Sequence, residues 1–230
     1  MIMNYKIRIF VVILLCLLVG YTFYAFWKKT EGFVAPYQVQ ELEDLLTPEE
    51  CDQLIAYAKK KGMKESDVLS YGAETDTVVD TKSRRSKTAW ISDNEHSLAM
   101  KVALISEKLT GLPRNTQEML QVAYYEPGGK FNDHYDACSE KNKDYCDKMN
   151  RYAGQRRSTL LIYLNDNFTG GETVFPKINV TVKPKKGKGI LFWNTTPEEI
   201  IISESMHRGN PVEGGEKWIC TKWSHVKEYK

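Results

Sequence analysis

The chain has 230 residues, with 32 lysines and arginines against 30 aspartates and glutamates, and a net charge of +2. That length suits one globular domain of moderate size plus a small appendage. The near-neutral charge argues against a nucleic-acid binder, because neutralising phosphates requires a basic surface. A composition that is 42% hydrophobic and 27% charged is ordinary for a folded protein, so it excludes a disordered or fibrous chain.

The first predicted element is an apolar segment, residues 9–27, that carries no charged residue. Its length nearly matches a hydrocarbon core of roughly 30 Å, and Tyr21, Tyr24 and Trp27 crowd its C-terminal end as at a membrane interface. We therefore expect an uncleaved membrane anchor after a short tail, residues 1–8, with a cleaved signal peptide as the alternative. A short tail before a large domain favours a single-pass type II protein whose domain lies in the lumen of the endoplasmic reticulum.

The cysteines bear on whether the domain lies in an oxidising compartment. Cys138 and Cys146 flank a polar stretch, where they form either a small disulfide loop in an oxidising lumen or two free thiols. Cys51 and Cys220 are predicted to be ordinary buried residues of a helix and a strand. Three N-x-[ST] sequons are compatible with a lumenal domain, although so short a pattern often arises by chance. They lie at Asn167, Asn179 and Asn194.

Two helices are predicted after a linker over residues 28–40. The first runs from residue 42 to 62 and begins with a capping box of Thr47 and Glu50. The second runs from residue 93 to 110, and its expected capping box joins Ser92 and Glu95. Between the helices, the polar residues 70–87 predict a mobile loop or a weak hairpin.

From residue 118 onward the sequence consists of short β-rich runs separated by glycine, proline, asparagine or aspartate. Roughly seven short strands separated by such turn residues predict a sandwich or a jelly-roll barrel. The expected fold class is therefore mainly β with flanking helices (α+β). Helical support over residues 41–117 is expected to pack outside a jelly-roll core over residues 118–230.

Two histidines and one aspartate form the most informative pattern. His134 and Asp136 make an H-x-D pair, and residues two apart on a strand point to the same face. His207 follows in a different predicted strand. Two histidines and one carboxylate leave three positions open on an iron, which is the facial triad of non-haem Fe(II) oxygenases. A zinc hydrolase is an alternative interpretation of the same ligands.

Lys217 extends this pattern, because it lies on the next predicted strand, ten residues after His207. A keto acid chelating the iron would project a second carboxylate away from the metal, and a buried cation must meet that carboxylate. Trp218 and Ile219 flank Lys217 and predict a partly buried position. A solvated strand lysine is the alternative, and a zinc hydrolase offers no account of Lys217.

The order and spacing of these motifs resemble the catalytic domain of prolyl 4-hydroxylases, which are 2-oxoglutarate- and Fe(II)-dependent dioxygenases. The matching stretches are LQVAYYEPGGKFNDHYD, STLLIYLNDNFTGGETVFP and HRGNPVEGGEKWICTKWSH. The resemblance extends from Leu42 to the C-terminus and implies a cupin-like double-stranded β-helix, the jelly roll. It also implies hydroxylation of peptidyl proline to 4-hydroxyproline with release of succinate and CO2, using Fe(II), 2-oxoglutarate, O2 and ascorbate.

The resemblance implies roles for individual residues. It places iron at His134, Asp136 and His207. It places the distal carboxylate of 2-oxoglutarate at Lys217 and Tyr125, with Thr159 lining the same pocket. One departure from the family is Phe131, where a tyrosine is common.

The resemblance also implies a peptide site. Trp223 is expected to bind the substrate, and His225 is expected to be catalytic beside it. Residues 78–87 fall where family members carry a mobile substrate-covering loop, which here includes Arg84, Arg85 and Ser86. Aromatic residues are expected to gather around the site and suit a rigid proline-rich ligand. They are Tyr135, Trp218 and Trp223.

The expected partners are a proline-rich or collagen-like polypeptide and a membrane, reached through one helix, with no nucleic acid. Two other functions stay open. One keeps the chemistry but hydroxylates lysine or another residue, since an iron site does not distinguish them. The other is a membrane-tethered, non-catalytic module that binds peptides. Loss of an iron ligand is typical of such a module, and none is lost here.

Overall fold

The computed structural model describes residues 39–69, 77–138 and 153–229. Within these residues the chain is mainly β, with two α-helices and sixteen short strands. The helices are α1 (Pro48–Lys61) and α2 (Ser97–Thr110). The strands are β1 (Gln40–Leu42), β2 (Lys64–Glu65), β3 (Val68–Leu69), β4 (Thr77–Val78), β5 (Arg84–Arg85), β6 (Lys87–Ile91), β7 (Leu120–Tyr125), β8 (Lys130–His134), β9 (Arg156–Tyr163), β10 (Thr169–Gly170), β11 (Thr173–Phe175), β12 (Val180–Val182), β13 (Gly189–Trp193), β14 (His207–Gly209), β15 (Val212–Gly214) and β16 (Lys217–His225).

None of the helices within the described ranges is long and apolar enough to cross a membrane. The predicted anchor, residues 9–27, lies outside those ranges.

Helix α1 begins as its sequence predicts. The Thr47 hydroxyl accepts the backbone N–H of Glu50, and the Glu50 carboxylate accepts the backbone N–H of Thr47 at 2.9 Å. This reciprocal capping box satisfies two donors that the first turn leaves without helical partners. The face of α1 that packs on the core carries Cys51, Leu54 and Ala58, all fully buried.

Helix α2 begins later than predicted, and the Ser92–Glu95 capping box is wrong. The N-cap is His96, whose Nδ1 accepts the backbone N–H of Leu98 at 3.2 Å. Ser92 and Glu95 instead close a turn between β6 and the helix, in which the backbone N–H of Glu95 donates to the carbonyl of Ser92. The Glu95 carboxylate accepts the hydroxyl of Tyr57, so this turn ties α2 to α1.

Two antiparallel sheets carry the fold. The larger has seven strands in the order β1-β13-β9-β16-β7-β6-β2, and the smaller has five in the order β12-β11-β14-β8-β5. Strands β1, β2, β5 and β6 come from the part of the chain predicted to be helical support, so that part also builds both sheets. Strands β3 and β4 form a short hairpin, but β3 lies before the segment 70–87 in which a weak hairpin was expected. Arg84 and Arg85 form β5, paired with β8 in the smaller sheet, so the expectation of a mobile loop is wrong for these two residues.

The larger sheet buries both of its faces. One face packs on the helices through a core that includes Leu120, Val122, Trp218 and Cys220. The other packs on the smaller sheet through a core that includes Tyr125, Ile219, Phe175 and Val212. Along β16, successive residues alternate between these faces, as a strand requires. The odd-numbered residues from Lys217 to Trp223 therefore line a cavity between the two sheets.

Candidate active site

Three potential metal ligands meet at one end of this cavity. His134 ends β8, Asp136 follows two residues later, and His207 begins β14. Because β14 pairs antiparallel with β8, His207 lies directly opposite His134. One ligand atom from each of the three side chains lies within 4.8 Å of the other two. The sheet thus brings together the triad that the H-x-D motif and the distant histidine predict.

The backbone orients both imidazoles. His134 Nδ1 lies 2.7 Å from the carbonyl oxygen of Asn132, and His207 Nδ1 lies 2.9 Å from that of Ser205. A carbonyl oxygen only accepts, so each Nδ1 must carry the proton and each Nε2 is left with a free lone pair. The two Nε2 atoms lie 3.7 Å and 3.9 Å from the oxygens of Asp136.

Protonation and packing both suit a cation at this point. Burial, together with repulsion from His207, lowers the pKa of His134 and keeps it neutral. Burial alone would raise the pKa of Asp136, but His207 and His134 hold it well below its usual range. Phe131 stacks on the ring of His134 with centroids 3.5 Å apart, so this departure from the family's tyrosine still supports a ligand. Two imidazole nitrogens and one carboxylate are a donor set that fits Fe(II).

Lys217 closes the deep end of the cavity. Its side chain is 2% exposed, and its Nζ donates to the carbonyl oxygen of Gly171 at 2.7 Å. No carboxylate among the described residues forms an ion pair with it. Burial lowers the pKa of Lys217 to about 8. Tyr125 lies opposite Lys217 on β7, with its ring centroid 5.2 Å from Nζ.

A buried ammonium that lacks a carboxylate is a costly arrangement unless a ligand supplies the negative charge. The cavity that Lys217 enters is the one that His134, Asp136 and His207 also line. A dicarboxylate that reaches the metal at one end and Lys217 at the other therefore fits this cavity. The solvated position considered for Lys217 is excluded by its burial.

Thr159 lies in the middle of the larger sheet and also lines the cavity. Its hydroxyl donates to Asp136 Oδ2 at 2.7 Å, so its contact within the protein is with a metal ligand.

The two arginines expected at the peptide site differ. Arg84 is buried, lines the cavity, and donates to Gln121 Oε1 at 2.9 Å and to the Ser86 hydroxyl at 3.0 Å. Its guanidinium also lies 4.8 Å from the centroid of the Phe131 ring. Arg85 is exposed and does not line the cavity. The structure therefore places Arg84 against the site and Arg85 outside it.

His225 belongs to a buried charged cluster beside the cavity. Its Nε2 lies 2.9 Å from Glu118 Oε1, and its Nδ1 lies 2.8 Å from the carbonyl oxygen of Gly154. Glu118 also accepts two bonds from Arg156, whose guanidinium stacks 4.0 Å from the centroid of the Trp223 ring. Burial alone would raise the pKa of Glu118, but Arg156 and His225 lower it to about 2. Trp223 lines the cavity and His225 does not.

Sequence reasoning missed Glu118 and Arg156 in this cluster. Their signal was faint, since each stands at the edge of a β-rich run where a charged residue is ordinary. Only the pairing of β16 with β9 and the bond from Glu118 N to the Trp223 carbonyl bring them to Trp223 and His225.

The expectation that Trp218 faces the site is wrong. As an even-numbered residue of β16, it points to the helices, where its ring packs against Tyr124 with centroids 4.5 Å apart. Tyr135 lies beside the metal ligands in sequence, and its hydroxyl donates to the carbonyl oxygen of Ser203 at 3.4 Å.

The cysteines fall into two groups. Cys51 and Cys220 are buried free thiols, as predicted for a helix and a strand. Cys138 is disulfide-bonded, and its backbone N–H and carbonyl both bond to the side-chain amide of Gln155 at 2.8 Å. Its predicted partner, Cys146, lies outside the described residues.

Comparison with known proteins identifies the family. The family model of the 2OG-Fe(II) oxygenase superfamily matches residues 120–225. Over 207 residues the chain is 34% identical to probable prolyl 4-hydroxylase 3 of Arabidopsis thaliana, covering 81% of this chain and 69% of that protein. The chain belongs to the prolyl 4-hydroxylase family. A putative prolyl 4-hydroxylase of Acanthamoeba polyphaga mimivirus is 33% identical, with 82% and 74% of the two chains covered.

The fold of this prolyl 4-hydroxylase family member agrees with a solved relative. The viral collagen prolyl hydroxylase of Paramecium Bursaria Chlorella virus-1, in its 2OG complex, matches with a TM-score of 0.63 and 30% identity. The match covers 80% of this chain and 94% of that one. The expected jelly-roll oxygenase fold is thereby confirmed. Fe(II), 2-oxoglutarate and O2 are the reactants of this superfamily, and the donor set described above fits them.

Proposed function

We propose that the protein hydroxylates peptidyl proline to 4-hydroxyproline in proline-rich or collagen-like polypeptides, with release of succinate and CO2. The observation that carries this proposal is that three metal ligands and a buried ammonium without a carboxylate in the described part of the chain share one cavity. The choice of proline rests on the relatives, which are named prolyl 4-hydroxylases.

Each end of the cavity has a distinct task. His134 and His207 would hold Fe(II) through Nε2, and Asp136 would hold it through a carboxylate oxygen. Lys217 would bind the distal carboxylate of 2-oxoglutarate, with Tyr125 beside it. When bound, iron and 2-oxoglutarate supply the oxidising chemistry that delivers one oxygen atom of O2 to the substrate and the other to succinate. Ascorbate would keep the iron reduced between turnovers.

The peptide would lie across the rim that Trp223 and Arg84 form. The Trp223 ring is held from one side by Arg156, so its orientation is fixed before a substrate arrives. Aromatic surfaces suit rigid, polyproline II-like chains, which lose little entropy on binding. Arg84 has a planar group with five donors, of which its bonds to Ser86 and Gln121 use two among the described residues, and the others would bind peptide carbonyls. His225 would act through Arg156 and Trp223 by fixing the charge of Glu118.

The proposed activity is tested by incubating the full chain in detergent with Fe(II), 2-oxoglutarate, ascorbate and four substrates. These are free proline, a single-proline peptide, a polyproline peptide and a Pro-Pro-Gly repeat. Mass spectrometry should find one added oxygen on prolyl residues, with the lowest apparent KM for chains of adjacent prolines. Equal turnover of free proline, or an added oxygen on lysine, would contradict the proposal.

We also propose that residues 9–27 anchor the protein as a single-pass type II protein, with the enzyme domain in the lumen of the endoplasmic reticulum. The uncharged run and its aromatic flank support the anchor. A disulfide at Cys138 supports an oxidising compartment. Carbonate extraction of expressing cells should leave the protein in the membrane pellet. Release into the supernatant with a shortened N-terminus would show a cleaved signal peptide instead.

A further inference from the structure

We propose that Asn194 and Thr159 form a hydrogen-bonded relay that orients Asp136 for the metal, so that both are positioning residues of the iron site. The inference deepens the proposed function and rests on it, since it assumes that Asp136 is a metal ligand. It gives Thr159 a different task from the expected contact with 2-oxoglutarate. It also gives Asn194 a task that its glycosylation sequon does not suggest.

The relay is continuous over three side chains. Asn194 Nδ2 donates to Thr159 Oγ1 at 2.8 Å, and Thr159 Oγ1 donates to Asp136 Oδ2 at 2.7 Å. Asn194 is 0% exposed and Thr159 is 1% exposed, so the bond between them is buried. Both distances lie within the normal range for hydrogen bonds between side chains.

The role of Asp136 as a metal ligand determines which atom donates in each of these bonds. A carboxylate that ligates a cation only accepts hydrogen bonds, so the single proton of the Thr159 hydroxyl must point at Asp136. The hydroxyl can then only accept from the other side, and the Asn194 group that faces it must be the amide nitrogen. The bond from Thr159 to Oδ2 fixes the orientation of the Asp136 carboxylate, whose Oδ1 lies 3.7 Å from His134 Nε2.

Both relay residues are fixed by the larger sheet. Thr159 lies within β9, between β13 and β16, opposite Phe192 on one side and Trp223 on the other. Asn194 directly follows β13, where its N–H donates to the carbonyl of Arg157 and its carbonyl accepts the N–H of Ile202. The relay therefore connects a ligand on a loop to the interior of the larger sheet. Such outer contacts orient ligating carboxylates in metal sites generally.

The burial of Asn194 supports this role. Its Oδ1 has no hydrogen-bond partner among the described residues, which lowers the stability of the fold. An asparagine at this place therefore needs a reason beyond packing, and the Nδ2 bond to Thr159 supplies one. The same burial makes Asn194 a poor glycan acceptor in the folded protein, whereas Asn167 and Asn179 are exposed.

The test measures metal binding rather than turnover. Metal-free full-length protein in detergent is titrated with Co(II), an oxygen-stable probe, and the Kd and the visible absorption of bound Co(II) are recorded. Thr159→Val, which keeps the shape but removes the hydroxyl, should weaken Co(II) binding about 10–100-fold and change the absorption bands. Thr159→Ser, which keeps the hydroxyl, should bind within about threefold of the parent.

Two further variants separate the relay from general damage. Asn194→Ala should weaken Co(II) binding by several-fold, and adding it to Thr159→Val should cause little further loss, because the two residues act in series. Thr195→Val is the matched control, since Thr195 is equally buried and its hydroxyl has no partner within the described ranges. It should leave the Co(II) Kd unchanged. If Thr159→Val does not fold, the Asn194→Ala and Thr159→Ser titrations still decide the question.

Each contrary result has a distinct meaning. Parent-like Co(II) binding by Thr159→Val, with a loss of 2-oxoglutarate affinity only, would overturn the relay and restore the cosubstrate role. Additive losses from Asn194→Ala and Thr159→Val would also overturn it. A parent protein that binds Co(II) no better than His207→Ala would overturn the metal centre itself, and with it both the proposed function and the relay.

Discussion

Strand β16 carries two buried lysines that point to opposite faces of the larger sheet. Lys222 is 0% exposed and faces the helices, where its Nζ lies 2.6 Å from Asp93 Oδ1. Lys217 is 2% exposed and faces the cavity, where its Nζ donates to the carbonyl oxygen of Gly171. The two lysines have the same residue type, the same strand and nearly the same burial. They differ in whether a carboxylate of the described residues lies within ion-pair distance, because Glu172 acts on Lys217 only from farther away.

That difference distinguishes a charge that is paired within the protein from a charge that a ligand would pair. A cation taken out of water needs an anion, and a protein that supplies the anion itself gains a closed ion pair. When it supplies none, the site is complete only with a negatively charged ligand. The arginines repeat the contrast, because Arg156 is paired with Glu118 whereas Arg84 bonds to the neutral oxygens of Gln121 and Ser86. Pairing, more than burial, distinguishes the residues that we propose bind ligands.

The sharpest test of this contrast replaces Lys217. Lys217→Met keeps the length and removes the charge, so the distal carboxylate of 2-oxoglutarate loses its partner. We expect the Kd for 2-oxoglutarate to rise about 10²–10³-fold, in line with roughly 3–5 kcal/mol for breaking a buried pair. Calorimetry in the presence of Co(II) measures it. The free protein should melt at the same or a higher temperature, since an unpaired buried charge is gone. Unchanged 2-oxoglutarate binding would contradict the assignment of Lys217.

The companion substitution, Lys222→Met, should lower the stability of the fold but leave 2-oxoglutarate binding unchanged. It leaves Asp93 without its partner, and because Asp93 is 23% exposed, water recovers part of the loss. We expect the free energy of unfolding to fall by about 2 kcal/mol, below the roughly 3–5 kcal/mol of a fully buried pair. Denaturant unfolding measures this change. The Kd for 2-oxoglutarate should match the parent, and a large increase would show that the two lysines are not separate in function.

The sequence could not have distinguished the two lysines by burial, since both stand in the same run of apolar residues. What it offered was spacing from His207, the period of the strand and the family resemblance, and these select Lys217 as the expected contact of 2-oxoglutarate, a role that stays a prediction. The metal triad was predictable for a similar reason. An H-x-D pair and a histidine on a second strand were enough to predict the set, although β8 ends at His134 and Asp136 lies on the loop that follows it.

Features that depend on how strands pair could not be read from local pattern. The sequence does not predict strand β6, because KTAWI follows a polar stretch and gives no alternation beyond five residues. It predicts too early a start for α2, because Ser92 and Glu95 have the spacing of a capping box but form a turn. For Asn194 it indicates only a sequon. Its contact with Thr159 arises from β13 lying beside β9, which is a property of the sheet and not of either segment.

A smaller effect is expected at Gly171, whose carbonyl holds Lys217. A Cβ at Gly171 would lie 3.1 Å from Lys217 Cδ and 2.9 Å from Phe168 Cε2, and the backbone there has φ of +67°. Gly171→Ala should therefore displace Lys217 and raise the Kd for 2-oxoglutarate about tenfold, or roughly 1.4 kcal/mol. Calorimetry measures it. Gly111 is the matched control, because its φ is +71° and a Cβ added there would meet no described atom within 4 Å.

Both alanine variants should lose about 1–2 kcal/mol of stability from the strained backbone, and Gly171→Ala should lose more, because its Cβ would also lie 2.9 Å from Phe168 Cε2. Only Gly171→Ala should lose affinity for 2-oxoglutarate. An equal loss in Gly111→Ala would show that affinity follows overall stability, and would remove the special position given to Lys217.

The smallest predicted effect is a pH dependence that the two lysines should not share. Burial lowers the pKa of Lys217 to about 8 in the free site, whereas its bound form must be protonated to meet a carboxylate. Below pH 7 the lysine is already charged and the Kd for 2-oxoglutarate should be flat. Above pH 8 binding must first take up a proton, so the Kd should rise roughly fourfold at pH 8.5 and tenfold per unit beyond. Calorimetry across this range measures the slope of Kd against pH.

The control variant Lys217→Arg stays charged throughout, so its affinity for 2-oxoglutarate, though weaker, should not change between pH 7 and 9. If the Kd of the parent protein is equally independent of pH, Lys217 keeps its proton in the free site. That result would contradict the argument that Lys217 needs the carboxylate of the ligand to stabilise its charge.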